Sequence, residues 1–435
     1  MSGVKEGLYS STRVSIAIGK QLAKGTPRTS NLIRGKEVEV KPGLPWKISD
    51  LGYEIGGFDV QSGIVKETVA PVVDINGHLR TGAFMMNLVA AANNAFISTG
   101  TATGTPLSTT VGTGGANRGQ PIVPFTSVTG LTVGDLVQIG TPAGFPASSA
   151  PTEIHAVASI ASLNVTLDGN LNYNWANGAS ITRVDSNKAV IHNPVHIAAD
   201  QSSLGGDDYW TVFVQWQNAG VTQSILYYDG KVDTLSATLT SGATPTFQCV
   251  LQFINATIDT TITSTVTTVA DNSGYVPRSA QGTFSVVNDT VNAPESITIN
   301  LKTGLVEDYV LFSQTKDSNV PLAHELNFTT TGKFINAWWK ALNFGSGVTL
   351  NSTVYTSTFS VLNQSPALIG TDTVPYAFGL FCNLVQLAQY DPDINSNAPI
   401  KSGIQMGRVI SEIDDSQKHY WIFNNSSTSS VLSAA

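Results

Sequence analysis

Charge is what this 435-residue chain has least of. Only 12% of its residues are Asp, Glu, Lys or Arg, against about 25% in an average soluble protein. The 23 basic and 31 acidic residues leave a net charge of -8, which argues against binding nucleic acid by neutralising its phosphates. Long apolar runs are also absent. Nothing approaches the roughly 18 apolar residues of a membrane helix, and the opening MSGVKEGLYSSTRVSIAIGK holds no stretch suited to a secretion signal. Assembly in the cytoplasm, with no membrane partner, is expected. Cysteine is scarce: Cys249 and Cys382 sit in apolar settings, FQCVLQF and GLFCNLV, which favours two buried thiols, with a disulfide as the alternative.

Hydroxyls and amides take the place of charge, as in TATGTPLSTTVGTGGAN and ATIDTTITSTVTTVADNSG. Enzymes usually keep a charged surface and gather titratable groups at one site. A chain covered in Ser, Thr and Asn is better suited to packing against copies of itself. With 41% hydrophobic residues it can fill several cores, and its length suggests two or three domains.

The prevailing pattern is strand, and the expected fold class is mostly β: sandwich or barrel domains, each with one packed α-helix, plus a small inserted all-β module. In YWTVFVQWQ, Trp210, Val212, Val214 and Trp216 point one way and Thr211, Phe213 and Gln215 the other. SITINL and VTLNSTVYTSTFSVL have the same period. Asn76-Gly77 and Asp229-Gly230 read as hairpin turns, because their central residues tolerate positive φ. Asn177-Gly178 and Asp168-Gly169 mark further turns. Two segments read as helices, residues 81–96 and 331–344, with Thr81 and Thr331 as N-caps. In the first, Phe84, Leu88, Ala91, Ala92 and Phe96 form one apolar face. Set 250 residues apart, the two segments share Thr81/Thr331, Gly82/Gly332, Phe84/Phe334, Ala91/Ala341 and Asn93/Asn343, which fits either two unrelated helices or an old duplication. Residues 99–119 are low in complexity and predict a flexible linker or exposed loop. The expected domains are 1–119 with 187–257, an inserted module at 120–186, and a second β-rich domain at 258–435.

No catalytic, cofactor-binding or metal residue is expected from the sequence. His192 and His196 have helical ligand spacing, but Pro194 lies between them. On a strand they would stand roughly 13 Å apart, too far for one ion. His78, His155, His324 and His419 have no acidic or cysteine partner at ligand spacing. Asp207-Asp208 and Asp414-Asp415 predict solvated loops, and Asp135 a turn residue bonding its own backbone. DPDINSN, residues 391–397, lacks the Gly and Glu of a calcium loop. No Gly-x-Ser-x-Gly, P-loop or Cys-x-x-Cys pattern occurs. The tryptophans at 210, 216, 338, 339 and 421 read as packing residues.

Several features follow a recognisable order. RVSIAIGK runs into Gly25-Thr26-Pro27, KEVEV follows, and GIVKETVAPVVDINGHLRTGAF leads to the first helix. Later come Tyr228-Asp229-Gly230, Leu235, Ala237 and Gly242. Over residues 8 to about 98 and 200 to about 257 the chain resembles the tail tube (major tail) proteins of long-tailed bacteriophages. The resemblance implies a structural virion protein rather than an enzyme. Its copies would form hexameric rings, or trimeric rings with pseudo-sixfold symmetry if two tube domains are fused. The rings would stack into a tube through the 44–70 segment and the tail after Tyr420, and join other tail proteins. Viral DNA would pass through an acidic, weakly charged lumen without specific binding, and the 120–186 module would decorate the outside. A head-decoration or fibre-associated phage protein, or a carbohydrate-binding adhesin module, are the alternatives.

Overall fold

The computed structural model describes residues 14–36, 38–50, 64–105, 107, 109–140, 151–196, 208–218, 221–258, 268–269, 275–286, 294–309, 313, 315–321, 324–350, 352–394, 400–409 and 419–432. The fold is mostly β, built from antiparallel sheets that include a curled half-barrel. No helix among the described residues is long and apolar enough to cross a membrane.

Nine strands make the curled sheet. In spatial order they are Val38–Gly43, Val72–His78, Thr246–Gln252, the second half of Val221–Thr240, Ser296–Lys302, Glu325–Lys333, Met406–Val409, the end of Pro375–Gln389, and the start of Tyr355–Leu368. Side chains alternate between its faces. One row, half-buried at Val40 and buried at the other five positions, reads Val40, Ile75, Cys249, Leu235, Leu301 and Leu326 across six neighbouring strands. The 20-residue strand Val221–Thr240 belongs to two sheets, because its first half pairs with Trp210–Asn218 and Asn255–Ile258. Alternation along Trp210–Asn218 serves two cores, as its sequence predicts. Trp210, Val212 and Val214 join the main cluster, while Phe213 packs with Ala17, Leu32 and Leu226.

The two halves of the chain use one plan. In the first, Val14–Lys20 pairs with Trp210–Asn218, which pairs with Val221–Thr240. In the second, Arg278–Val286 pairs with Tyr355–Leu368, which pairs with Pro375–Gln389. Val38–Gly43 and Val72–His78 enclose a hairpin arm, Trp46–Asp50 with Ile64–Val69; Ser296–Lys302 and Glu325–Lys333 enclose another, Leu305–Asp308 with Ser318–Pro321. The arms meet at a parallel bridge between Val69 and Thr315. A helix follows each enclosing strand: α1, Ala83–Asn93, and α2, Asn336–Phe344.

Both helices are shorter than expected. All eleven residues of α1 are buried, not one face, so packing rather than amphipathicity holds it. At about 1.5–3 kcal/mol for each large apolar side chain, Phe84, Met85, Met86, Leu88 and Val89 outweigh any contribution from a cap. Thr81 does not cap it; its hydroxyl bonds the backbone of Tyr275 instead. Thr331 lies inside a strand and bonds Ser296, since the β-branched run Thr329 to Thr331 favours extended backbone. The five sequence matches are therefore not equivalent positions as a set: Phe84 is helical and Phe334 is not. Strand and helix starts, Val72 with Glu325 and Ala83 with Asn336, instead differ by 253 (325 − 72 and 336 − 83). One likeness persists. Asn93 and Asn343 each donate to the carbonyl four residues back, Val89 and Trp339.

Two expected hairpins are not turns. Asn76 and Gly77 lie inside Val72–His78, paired on one side with Glu39 and Val38 and on the other with Gln248 and Phe247. Two-sided pairing and the alternation of Val73, Ile75 and Leu79 override the local turn preference. Asp229 has φ 57 but bends Val221–Thr240 from one sheet to the other. Asn177-Gly178 is a turn, with Gly178 at φ 88.

Residues 99–119 are not a linker. Thr109–Thr110 is a strand paired with Ser180–Val184, Ala116 bridges Trp175, and Val111 and Ala116 are buried. The inserted six-stranded sheet thus begins at Thr109 rather than 120, and it is docked rather than tethered. Leu22 lies where a side chain on Gly119 would stand. Strands Asn94–Gly100 and Val190–His196, paired antiparallel, carry it. Cys249 and Cys382 are free and buried, and burial raises both thiol pKa values.

Candidate functional site

The exposed side of the curled sheet is polar along its length. One row, read from the pairing register, is Glu39, Asn76, Gln248, Ser236, Asn300, Asn327, Arg408, Gln386 and Thr356. The next row on that face is His78, Thr246, Thr238, Thr298 and Thr329. A groove of about 410 Å³ lies on this face, lined by Glu39, Asn76, His78, Ser236, Thr238 and Gln248. Charges are few and mostly matched, although Lys333 stands opposite Lys401. Lys41 stands opposite Asp74 and Lys302 opposite Glu325 in the register, and Arg408 bonds Glu325 at 3.2 Å. Asp74 also accepts from Asn76 and Gln248. The face is close to neutral rather than acidic.

The sheet ends at Val38–Gly43. Among the described residues this strand pairs only with Val72–His78, so its other edge presents unpaired N–H and C=O groups. Pro42 removes one donor, which leaves residues 38–41 for pairing. Apolar residues are exposed beyond the opposite end, with Val348 at 93% and Leu350 at 80%. Sequence alternation placed these two in a strand, but it begins only at Tyr355.

Polar groups cluster where the body meets the inserted sheet. Asp229, fully buried, accepts from Gln21 Nε2 at 2.9 Å, the Gly25 N–H at 2.7 Å and Asn255 Nδ2 at 2.8 Å. It ties the Gly25-Thr26-Pro27 loop to the bend. Asp208, expected in a solvated loop, is instead buried between Lys20 and Arg118; Asp207 and the Asp414-Asp415 pair lie outside the described residues. Asp135 behaves as a turn residue, accepting from the Thr132 N–H and from Arg183.

His155 has acidic partners that metal-ligand spacing does not predict. Glu153 and His155 lie on one face of Glu153–Ala161, and the imidazole bonds Glu153 at 2.9 Å and Asp168 at 3.3 Å. Burial alone would lower its pKa; bonds to Asp168 and Glu153 outweigh that and lift it to about 9. Glu153 also accepts from Trp175 Nε1 and the Asn172 N–H, and Asp168 accepts from Thr428. The Glu-x-His spacing inside a strand was the available signal.

His192 is packed and neutral. The Ile154 N–H donates to Ser429 Oγ, Ser429 to Ser98 Oγ, and Ser98 to His192 Nδ1 at 2.7 Å. Nε2–H then donates to the Ser427 carbonyl, which fixes the tautomer. Burial pulls this pKa down to about 4. Ser98, His192 and Ser429 are each 0% exposed, so the relay is a clasp between residues 427–429 and the neighbouring strands. The described part of the tail after Tyr420 is thus packed inward, as strand His419–Asn425 and 3-10 helix Ser429–Leu432. Of DPDINSN, Pro392–Asp393 pairs with Lys401–Ser402, and residues 395–397 lie outside the described residues.

No known family model matches this chain, and no curated protein matches it.

Proposed function

We propose that this chain is a structural, non-enzymatic subunit that assembles into stacked rings, and that the rings form the tail tube of a long-tailed bacteriophage. The observation that carries the reading is the curled nine-strand sheet with a polar, nearly neutral face and an outer edge at Val38–Gly43 that no other described strand pairs. Closing such sheets edge to edge around an axis removes their exposed edges. Amides and hydroxyls, with most cations set against an acid, give a channel wall that does not hold phosphates, because phosphate binding needs clustered, uncompensated Lys and Arg. DNA would slide along it.

The shared plan of the two halves supports a trimeric ring with pseudo-sixfold symmetry. In it, each chain supplies two equivalent sheet segments and two arms. The arms, Trp46–Asp50 with Ile64–Val69 and Leu305–Asp308 with Ser318–Pro321, are suited to stacking one ring on the next, and other tail proteins would cap the tube. The inserted sheet would lie outside, rigidly docked. The site of action is the virion tail.

Negative-stain electron microscopy of the purified protein at rising concentration tests this. Rings or tubes with an axial channel are expected. Closed oligomers without a channel would overturn it and favour a head-decoration protein.

A further inference from the structure

Lys20 is the last residue of Val14–Lys20 and lies in register with Trp210, two residues after Asp208. Its Nζ is 2.7 Å from Asp208 Oδ2, and the two side chains are only 5% and 8% exposed. Arg118, from the inserted module, holds the other carboxylate oxygen, Oδ1, at 2.9 Å. Ala90, Ala95, Phe96, Trp210 and Leu432 line the cleft around the pair. Trp210 Nε1 is buried there without a hydrogen-bond partner among the described residues. The arrangement lies outside the polar sheet face and has no part in the proposed channel.

We propose that Lys20 and Asp208 condense into an intramolecular isopeptide bond. Nζ forms a bond to Cγ of Asp208, and the Cγ–Oδ2 bond breaks. The ammonium gives up two protons, which leave with that oxygen as water; one positive and one negative charge disappear, and no other reactant is consumed.

Three features favour the step. Two buried ions carry a desolvation cost of several kcal/mol each, and a neutral amide removes it. Burial lowers the Lys20 pKa against the pull of Asp208, which raises the share of free amine, the attacking form. The approach needed for attack is roughly 3–3.5 Å, within reach once the carboxylate turns its face to the amine. Arg118 acts as the positioning residue. Its guanidinium keeps hold of Oδ1, the oxygen that carries negative charge during addition and becomes the amide carbonyl. The bond would fasten the first strand to the segment entering Trp210–Asn218, enclosing α1 and the whole inserted module in one covalent loop.

The intact mass of the denatured wild-type protein tests the proposal, after allowance for removal of Met1. The expected value is the sequence mass less one water, and a protease digest should contain a branched peptide joining Lys20 to Asp208. Lys20→Arg and Asp208→Ala should each restore the full mass. Wild-type protein at its full sequence mass overturns the proposal. So does a water lost as a succinimide at Asp168-Gly169 or Asp229-Gly230 with no branched peptide. The wild-type measurement decides without either variant having to fold.

Discussion

Two buried histidines, perturbed in opposite directions, give the protein's stability a defined pH profile. His155 is lifted to about 9 between Glu153 and Asp168, from an unfolded value near 6.5. Its stabilisation is fully present below about pH 6.5 and is lost as pH rises through 9. At 1.36 kcal/mol per pKa unit the full effect is about 3 kcal/mol, of which about 2 disappears between pH 6 and 8. His192 is held down to about 4. Below pH 6.5 the unfolded chain takes up a proton that folded His192 refuses, so stability falls as pH drops from 6.5 towards 4. The limit is again about 3 kcal/mol. Together the two place the maximum near pH 6.5. Denaturant midpoints measured across about pH 5 to 9 at fixed salt and low protein concentration would trace both limbs. His155→Gln should flatten the alkaline limb while lowering stability at its peak, and His192→Gln should flatten the acid limb. A wild-type profile that stays level above pH 7, or an alkaline fall that survives in His155→Gln, would refute the buried imidazolium.

Three other substitutions probe the joints of the fold. Asp229→Ala strands the Gly25 N–H and the amides of Gln21 and Asn255; a loss of about 2–4 kcal/mol is expected in urea unfolding, and a loss under 1 would show that the latch is dispensable. Gly230→Ala would drive a methyl into the Phe253 ring, an overpacking cost of about 1–3 kcal/mol; an unchanged midpoint would contradict the close approach. Ser429→Ala breaks the relay from Ile154 to His192, at about 1–3 kcal/mol. Its specific sign is faster amide exchange at Ile154, and unaltered exchange there would count against the clasp.

Strand periodicity was the most legible part of the sequence, because burial on one or both faces imposes it directly. Trp210 to Trp216 and Ser296 to Leu301 lie in the strands their alternation predicted. Turn chemistry misled wherever long-range pairing outweighed it. Asn76-Gly77 has strands on both sides, and Asp229 takes its positive φ inside a strand because buried donors hold its carboxylate. Low complexity misled in the same way at residues 99–119, where small residues fill a sheet instead of a linker. The polar face was visible only as an excess of Ser, Thr, Asn and Gln; its rows exist through pairings between residues as distant as Asn76 and Gln248. Glu153, His155 and Asp168 come together across a strand pair, a spacing outside any metal pattern.

If this chain forms rings, its sheet edge closes against a second copy. A cryo-electron microscopy map of the assembled ring addresses it most directly. Val38–Gly43 is expected to be hydrogen-bonded to a strand of the neighbouring copy, with Asn76, Gln248, Ser236 and Asn300 facing an open channel. A ring in which that edge stays unpaired, or in which those side chains face outward, would contradict it.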